Sequence, residues 1–249
     1  MKVLVTGATG FIGGRLAERL LDRGDDVRVL VRRPAAARAL AERGAEVCAG
    51  DLLDPDSFGA ALSGVDVVFH CAGLSADWGP RADFERINVD GARELARAAA
   101  TQPVKPRFIH VSTTDVYGYP SLACGDDGPT RDTGLPYNSS KLRGELAVRA
   151  VAEASKLPLV VVRPATVYGP GSKDWGLEMA TLLARRAMVV VDGGSAPAGL
   201  VYVDNLVDAL LAAAEPSVPL GGIYTVRDET KETWRQYLDA LADGLEVPR

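Results

Sequence analysis

Three glycines at positions 7, 10 and 13 stand between a short apolar run, Val3-Leu4-Val5, and a stretch whose apolar residues Phe11, Ile12, Leu16, Leu20 and Leu21 recur at helical spacing before Gly24. A β-branched run that ends in glycines and passes at once into a helical pattern opens a βαβ unit. The alternation then continues. Val27 to Val31 reads as a second strand, Val47 sits in a third, and Val65 to Phe69 forms a fourth after the loop Gly50-Asp51-Leu52-Leu53-Asp54-Pro55. A helix-rich stretch from about Phe84 to Ala100 leads to a fifth strand, Phe108 to Val111, and a helix from Tyr137 to Ala154 leads to a sixth, Leu159 to Val162. Nearly continuous apolar strands with helices between them require a parallel sheet covered on both faces. The expected fold is α/β, a doubly wound parallel sheet.

The turn has the spacing G-x-x-G-x-x-G. Gly7 lets the chain leave the first strand sharply, Gly10 lets the backbone approach a pyrophosphate, and Gly13 lets the helix pack closely on the sheet. The helix start at Thr9, Gly10, Phe11 and Ile12 offers free N–H groups and the positive end of the helix dipole to phosphates. Three glycines alone are equally compatible with a plain turn. Their place between a first strand and a helix favours dinucleotide binding in a Rossmann-type domain. An NAD-selective site places a carboxylate at the end of the second strand. Here that position falls on Val31, and Arg32 and Arg33 follow, whose guanidinium groups suit a 2′-phosphate. NADP(H) is therefore the expected cofactor, with NAD(H) open. Two surface arginines solvating the strand end are the competing reading.

Beyond Pro170 the pattern is less regular. The expected division is a cofactor-binding core over residues 1–170 and, over 171–249, mainly a small lobe that carries the substrate, with 199–214 returning to the core. Formal net charge is −5, from 28 Lys and Arg against 33 Asp and Glu, and no basic tail is present. That argues against nucleic-acid and anionic-membrane surfaces. No run approaches the roughly 18 apolar residues of a membrane span, and no signal-peptide pattern precedes the first strand. Cys48, Cys71 and Cys124 are scattered, odd in number and without metal-ligand spacing, so no metal site and a reduced, cytoplasmic setting are expected.

Tyr137-Asn138-Ser139-Ser140-Lys141 puts Tyr137 and Lys141 four residues apart, on one helical face. A phenol titrates near pH 10 and is a poor base at neutrality, and a neighbouring ammonium favours its phenolate. The pair alone is common in helices and fits a solvated face. Two features point further. Tyr137 follows Pro136 directly after a loop, and the fifth strand ends in Ser112-Thr113-Thr114, hydroxyls at the carboxyl edge of the sheet where open α/β folds bind ligands.

With these residues assembled, the chain resembles the extended short-chain dehydrogenase/reductases, the NAD-dependent epimerase/dehydratase superfamily. The resemblance rests on T-G-A-T-G-F-I-G at 6–13, G-D-L at 50–52, V-F-H-C-A-G at 68–73 and N-V-D-G at 88–91. It continues through S-T-T-D-V-Y-G at 112–118, Y-N-S-S-K at 137–141, R-P-A-T-V-Y-G-P-G at 163–171 and V-Y-V-D-N-L at 201–206. It implies that Tyr137 is the general acid/base, that Lys141 bonds the nicotinamide ribose and tunes Tyr137, and that Thr113 hydrogen-bonds the reacting oxygen. Asp51 and Leu52 would meet the adenine, Cys71, Ala72 and Gly73 would line the cofactor, and Pro164, Ala165 and Val167 would border the nicotinamide. Asn88 is expected to brace the site, and His70 and His110 to pack at strand ends. Family members often pair through helices near 84–100 and 137–154, so a homodimer is compatible with the resemblance.

Departures from the family pattern bear on the substrate. Thr114 stands where dehydratases carry Asp, leaving only Asp115, and Thr166 stands where nucleotide-sugar enzymes tend to carry Asn. The family's substrate lobe usually runs well beyond position 249; a compact lobe and one continued by further chain both fit. V-R-V-L-V-R at 27–32 and Trp78-Gly79-Pro80 resemble the 3β-hydroxysteroid dehydrogenase-like and dihydroflavonol reductase-like branches. The expectation is a ketoreductase acting on a hydrophobic or cyclic small molecule, with Ser75, Trp78 and Thr114 as candidate substrate contacts. Ordinary loop packing is the other reading of Trp78. A sugar or nucleotide-sugar epimerase retaining its cofactor is the alternative enzyme, and a non-catalytic NADP(H) sensor is the alternative from another class.

Overall fold

The computed structural model describes residues 1–76, 78–120, 124–229 and 231–247. Asp77, within the Ser75–Pro80 loop, lies outside them. The chain opens with β1 (Lys2–Thr6), α1 (Phe11–Asp22), β2 (Asp26–Val31), α2 (Arg38–Glu42) and β3 (Glu46–Ala49). It continues with α3 (Gly59–Leu62), β4 (Val67–His70), α4 (Arg81–Phe84), α5 (Ala92–Ala100) and β5 (Arg107–Val111). Then follow α6 (Pro136–Ser155), β6 (Leu159–Pro164), β7 (Thr166–Tyr168), α7 (Met179–Ala184), β8 (Leu200–Tyr202), α8 (Val203–Ala213), β9 (Ile223–Val226) and α9 (Trp234–Gly244).

Among the described residues, seven strands form one sheet in the order β3-β2-β1-β4-β5-β6-β9, with every pairing parallel. The strands are apolar on both sides because both sides are covered. Val3 and Val5 of β1 face a layer containing Leu16 and Leu20 of α1 and Leu206 and Leu210 of α8, while Leu4 faces Leu62, Leu95 and Val148 of α3, α5 and α6. Strand order reverses direction between β1 and β4, and the crevice outside the carboxyl ends of those two strands is where such sheets bind ligands.

The helix expected from about Phe84 begins earlier, at Arg81, and reaches Ala100 through a π-helical stretch, Glu85–Gly91, between α4 and α5. A larger correction concerns the C-terminal lobe. Ile223–Val226 was expected in it, yet this strand pairs with β6, Val161 opposite Ile223 through Pro164 opposite Val226, and supplies the seventh strand of the sheet. Four residues of an edge strand carry too little pattern to show their partner; β6, left open on one side, selects them. Elsewhere in this stretch β7 and β8 form a separate parallel pair, and Leu183 of α7 packs with Leu238 and Ala242 of α9 as a small third cluster.

Candidate active site

The glycine turn is shaped by contacts that leave no room for side chains. Gly7 has φ +74°, and a Cβ there would lie 2.7 Å from the Ala72 nitrogen; a Cβ on Gly13 would lie 2.4 Å from the Gly7 oxygen. Gly10 is exposed and caps α1 without a side-chain acceptor, so the first N–H groups of the helix, beginning at Phe11, remain available. Exposed Thr9 sits at the same mouth. A close backbone and a helix start with unspent donors have the form that suits a pyrophosphate. The residues therefore fit a dinucleotide.

The neighbouring strand ends lie at the same edge. Arg32 and Arg33 leave β2 with exposed side chains, beside the Gly50 amide, which donates to the Val31 oxygen at 3.0 Å. Asp51 accepts from the Leu53 amide at 3.0 Å, and Leu52 packs against Gly91, so that loop is braced from within. After β4, the Ala72 amide donates to Thr6 Oγ1 at 3.2 Å, which brings Cys71, Ala72 and Gly73 against the glycine turn. Burial pushes the Cys71 thiol up to about 12. His70 is buried and shares a 2.8 Å hydrogen bond with Thr6 Oγ1, and its ring lies 5.4 Å from that of His110. Pro164 is buried at the end of β6, with Ala165 and Val167 half-buried beyond it.

Tyr137 and Lys141 stand in the first turns of α6, which Pro136 starts at a position where its missing N–H costs nothing. Thr113 caps a short helical turn, Thr114–Tyr117, by accepting from the Asp115 amide at 3.2 Å. The Tyr137 phenol is shifted up, first by burial and then by the charge of Asp115, while interactions with the hydroxyls of Thr113 and Ser75 act in the opposite direction. Lys141 is buried and donates to the Val111 carbonyl at 2.8 Å. Burial lowers it to about 8, opposed first by the carboxylate of Glu145. Asn88 accepts from the Leu74 amide at 2.7 Å and donates to Ser140 Oγ at 3.0 Å, so it braces the β4 loop against α6.

Of the candidate substrate contacts, Ser75 lies at the phenol and Thr114 begins the adjacent turn. Trp78 is 83% exposed at the surface of its loop. Two groups were not singled out from sequence. Glu145 is fully buried and takes a two-pronged ion pair from Arg163 at 2.6 and 3.0 Å, plus a 2.7 Å hydrogen bond from Ser112. Asn138 is also fully buried. The spacing of Glu145 four residues after Lys141 was a visible signal for the first. No local pattern marked the partners of the second.

Residues 3–226 match the NAD dependent epimerase/dehydratase family. The chain is 30% identical over 246 residues, covering 98% of this chain and 73% of the relative, to the 4-hydroxy-2-methyl-3-oxo-4-farnesyl-3,4-dihydroquinoline-1-oxide ketoreductase of Stigmatella aurantiaca. It is 30% identical over 258 residues, covering 100% of this chain and 77% of the relative, to the 2-alkyl-3-oxoalkanoate reductase of Stenotrophomonas maltophilia. Among solved structures it is similar to the UDP-glucuronic acid 4-epimerase of Bacillus cereus in complex with UDP-glucuronic acid and NAD, with a TM-score of 0.85 at 25% identity, covering 98% of this chain and 82% of the other. The chain thus belongs to the NAD-dependent epimerase/dehydratase family of extended short-chain dehydrogenase/reductases and is an NAD(P)-dependent enzyme.

Proposed function

We propose that the protein reduces a ketone, or oxidises the matching secondary alcohol, on a hydrophobic or cyclic small molecule, with NADP(H) as preferred cofactor. The observation that carries this reading is the phenol of Tyr137 at the carboxyl edge of the sheet, beside the hydroxyls of Thr113 and Ser75, with burial and Asp115 keeping it protonated. A protonated phenol is the form that donates to a carbonyl oxygen. The bound nicotinamide supplies or accepts the hydride. Tyr137 gives its proton to the substrate oxygen, or takes one in the reverse direction, while the Thr113 hydroxyl steadies that oxygen. Lys141, tied to the Val111 carbonyl, keeps N–H groups for the cofactor ribose. The cradle of Gly7, Gly10 and Gly13 holds the pyrophosphate, and Arg32 with Arg33 faces the place of a 2′-phosphate.

Support for the substrate class comes from relatives named as reductases of an alkyl ketoacid and of a farnesylated ketone. The absence of an acidic residue at Val31 supports NADP(H). The likeness to an NAD-bound epimerase favours the second reading, a sugar or nucleotide-sugar epimerase that retains its cofactor.

Calorimetric titration with NADPH and NADH, after assay of the denatured supernatant for carried-over nucleotide, separates the two. NADPH preference with little retained nucleotide is the expected result. Retained NAD would put the epimerase first. Arg32→Ala is expected to weaken NADPH by about tenfold to a hundredfold, the contribution of one charge-assisted hydrogen bond, and NADH far less. Equal weakening of both would remove the 2′-phosphate argument. Tyr137→Phe is expected to bind cofactor normally and lose most turnover of ketones such as cyclohexanone.

A further inference from the structure

We propose that Asn138 is a positioning residue, whose carboxamide clamps the turn carrying Thr113 and Asp115 onto the start of α6 and so holds the Tyr137 phenol at the Thr113 hydroxyl. The inference rests on Tyr137 being the acid/base. Three segments meet at this one side chain. Asn138 Nδ2 donates to the Asp115 carbonyl and, at 3.4 Å, to the Arg131 carbonyl, and Oδ1 accepts from the Thr133 amide at 2.8 Å. Both Nδ2 hydrogens are therefore used on backbone of the loop and the catalytic turn.

The clamp matters because the first turn of α6, ahead of the buried Leu142, is held by polar contacts. Val148 and Ala152, farther along, join the apolar cluster on that face of the sheet. The polar contacts include Ser139 to Asp132, Ser140 to Asn88 and Lys141 to the Val111 carbonyl. None of these three touches the turn of Thr113 and Asp115. On the other side of the clamp, the Arg131 amide donates to the Val116 carbonyl at 2.9 Å, closing the loop onto the same turn. Asn138 is thus a direct side-chain tie, beside the phenol–hydroxyl contact of Tyr137 and Thr113 itself, between the turn that supplies Thr113 and the helix that supplies Tyr137. Without its donors, the Asp115 and Arg131 carbonyls each lose a side-chain hydrogen bond; the Asp115 carbonyl keeps the one from the Gly118 amide at 2.9 Å, so the turn stays closed on itself but loses this tie to the start of α6.

The charged and titratable groups that face the phenol are Asp115 and Tyr119 from the loop side. Lys141, on the same helix, is held on the Val111 carbonyl. Loosening the clamp moves Asp115 away and admits water, two changes that favour the phenolate and outrank the opposing loss of the Thr113 hydrogen bond, so Tyr137 gives up its proton more readily.

The test follows the Tyr137 resonance in protein labelled with ¹³Cζ-tyrosine, assigned by its loss in Tyr137→Phe, and needs no substrate. In the parent protein the phenol is expected to stay protonated through about pH 10, the ordinary midpoint of a tyrosine. In Asn138→Ala it is expected to begin titrating at least one unit earlier. Asn138→Ser, which keeps one donor, is read in parallel and should fall between the two. With NADPH and cyclohexanone, Asn138→Ala should lose about a hundredfold in kcat, the cost of roughly 1 Å of misplacement, with NADPH affinity within twofold of the parent. Its solvent deuterium effect on kcat should rise as proton transfer becomes limiting. An unchanged Tyr137 titration in both variants would overturn the proposal, as would losses of kcat and NADPH affinity in equal proportion. Normal turnover in Tyr137→Phe would instead defeat the acid/base reading itself, whatever Asn138 does.

Discussion

At Lys141, burial and the carboxylate of Glu145 pull in opposite directions, and burial prevails, lowering the group from 10.5 to about 8. The ammonium is therefore present below about pH 8 and lost above it. Because the unfolded chain still binds that proton up to the higher value, stability contributed by this group rises between the two, while activity that needs the cation declines over the same window. We expect kcat/KM for ketone reduction to fall by up to about tenfold per pH unit above about 8, and Lys141→Met to remove that limb along with most turnover. A pH profile of the two proteins checks this. The placement of Tyr137 and Lys141 at the start of α6 and of Thr113 past the end of β5 was legible because helical spacing and a strand end are local features. The dominance of Asp115 over Lys141 in the surroundings of Tyr137 was not. It depends on where Lys141 Nζ comes to rest, on a carbonyl of β5, and on a turn folded back over α6.

At the scale of elements, α6 carries its chemistry near its start and its anchor in the middle. Glu145 ties it to β6 through Arg163, whose guanidinium also donates to the Asp126 carbonyl at 3.2 Å and lies 4.9 Å from the centre of the Tyr117 ring. Removing one member of a buried pair leaves the other charge uncompensated, at a cost of about 3–5 kcal/mol. Glu145→Gln is expected to lower unfolding free energy in urea by that order. The double variant Glu145→Leu with Arg163→Met should recover much of the loss, since neither charge is then stranded. A double variant as unstable as the sum of the single changes would mean that the pair is more than mutual neutralisation. The long helix was readable from its pattern, with bounds of 137–154 against the observed Pro136–Ser155. Its partner across the sheet was not, because Arg163 lies in an otherwise apolar strand whose neighbour only folding supplies.

For the molecule as a whole, the return of the chain to the core closes the sheet. Val201, Leu206, Val207 and Leu210 fill the face that α1 leaves open, and Arg15 pairs with Asp204 at 2.5 Å across α1 and α8. A chain ending at residue 198 would expose that face and lose β9 from the sheet edge. It is expected to aggregate or to bind a hydrophobic dye strongly, as size-exclusion chromatography and dye fluorescence would report; a monomeric, dye-silent product would show that α8 and β9 are dispensable to the core. By itself the sequence determined the order of the first six strands and the long helices between them, the glycine turn, the parallel sheet and the hydroxyl-rich strand end, because each follows from backbone sterics or from hydrophobic period within about twenty residues. Only the tertiary structure decided that Ile223–Val226 joins β6, that Glu145 meets Arg163, and that Asn138 holds the turn of Thr113 to Tyr137. Those choices turn on which unpaired strand edge, buried charge or free carbonyl lies nearby once the chain is compact, and spacing along the chain does not encode such distances.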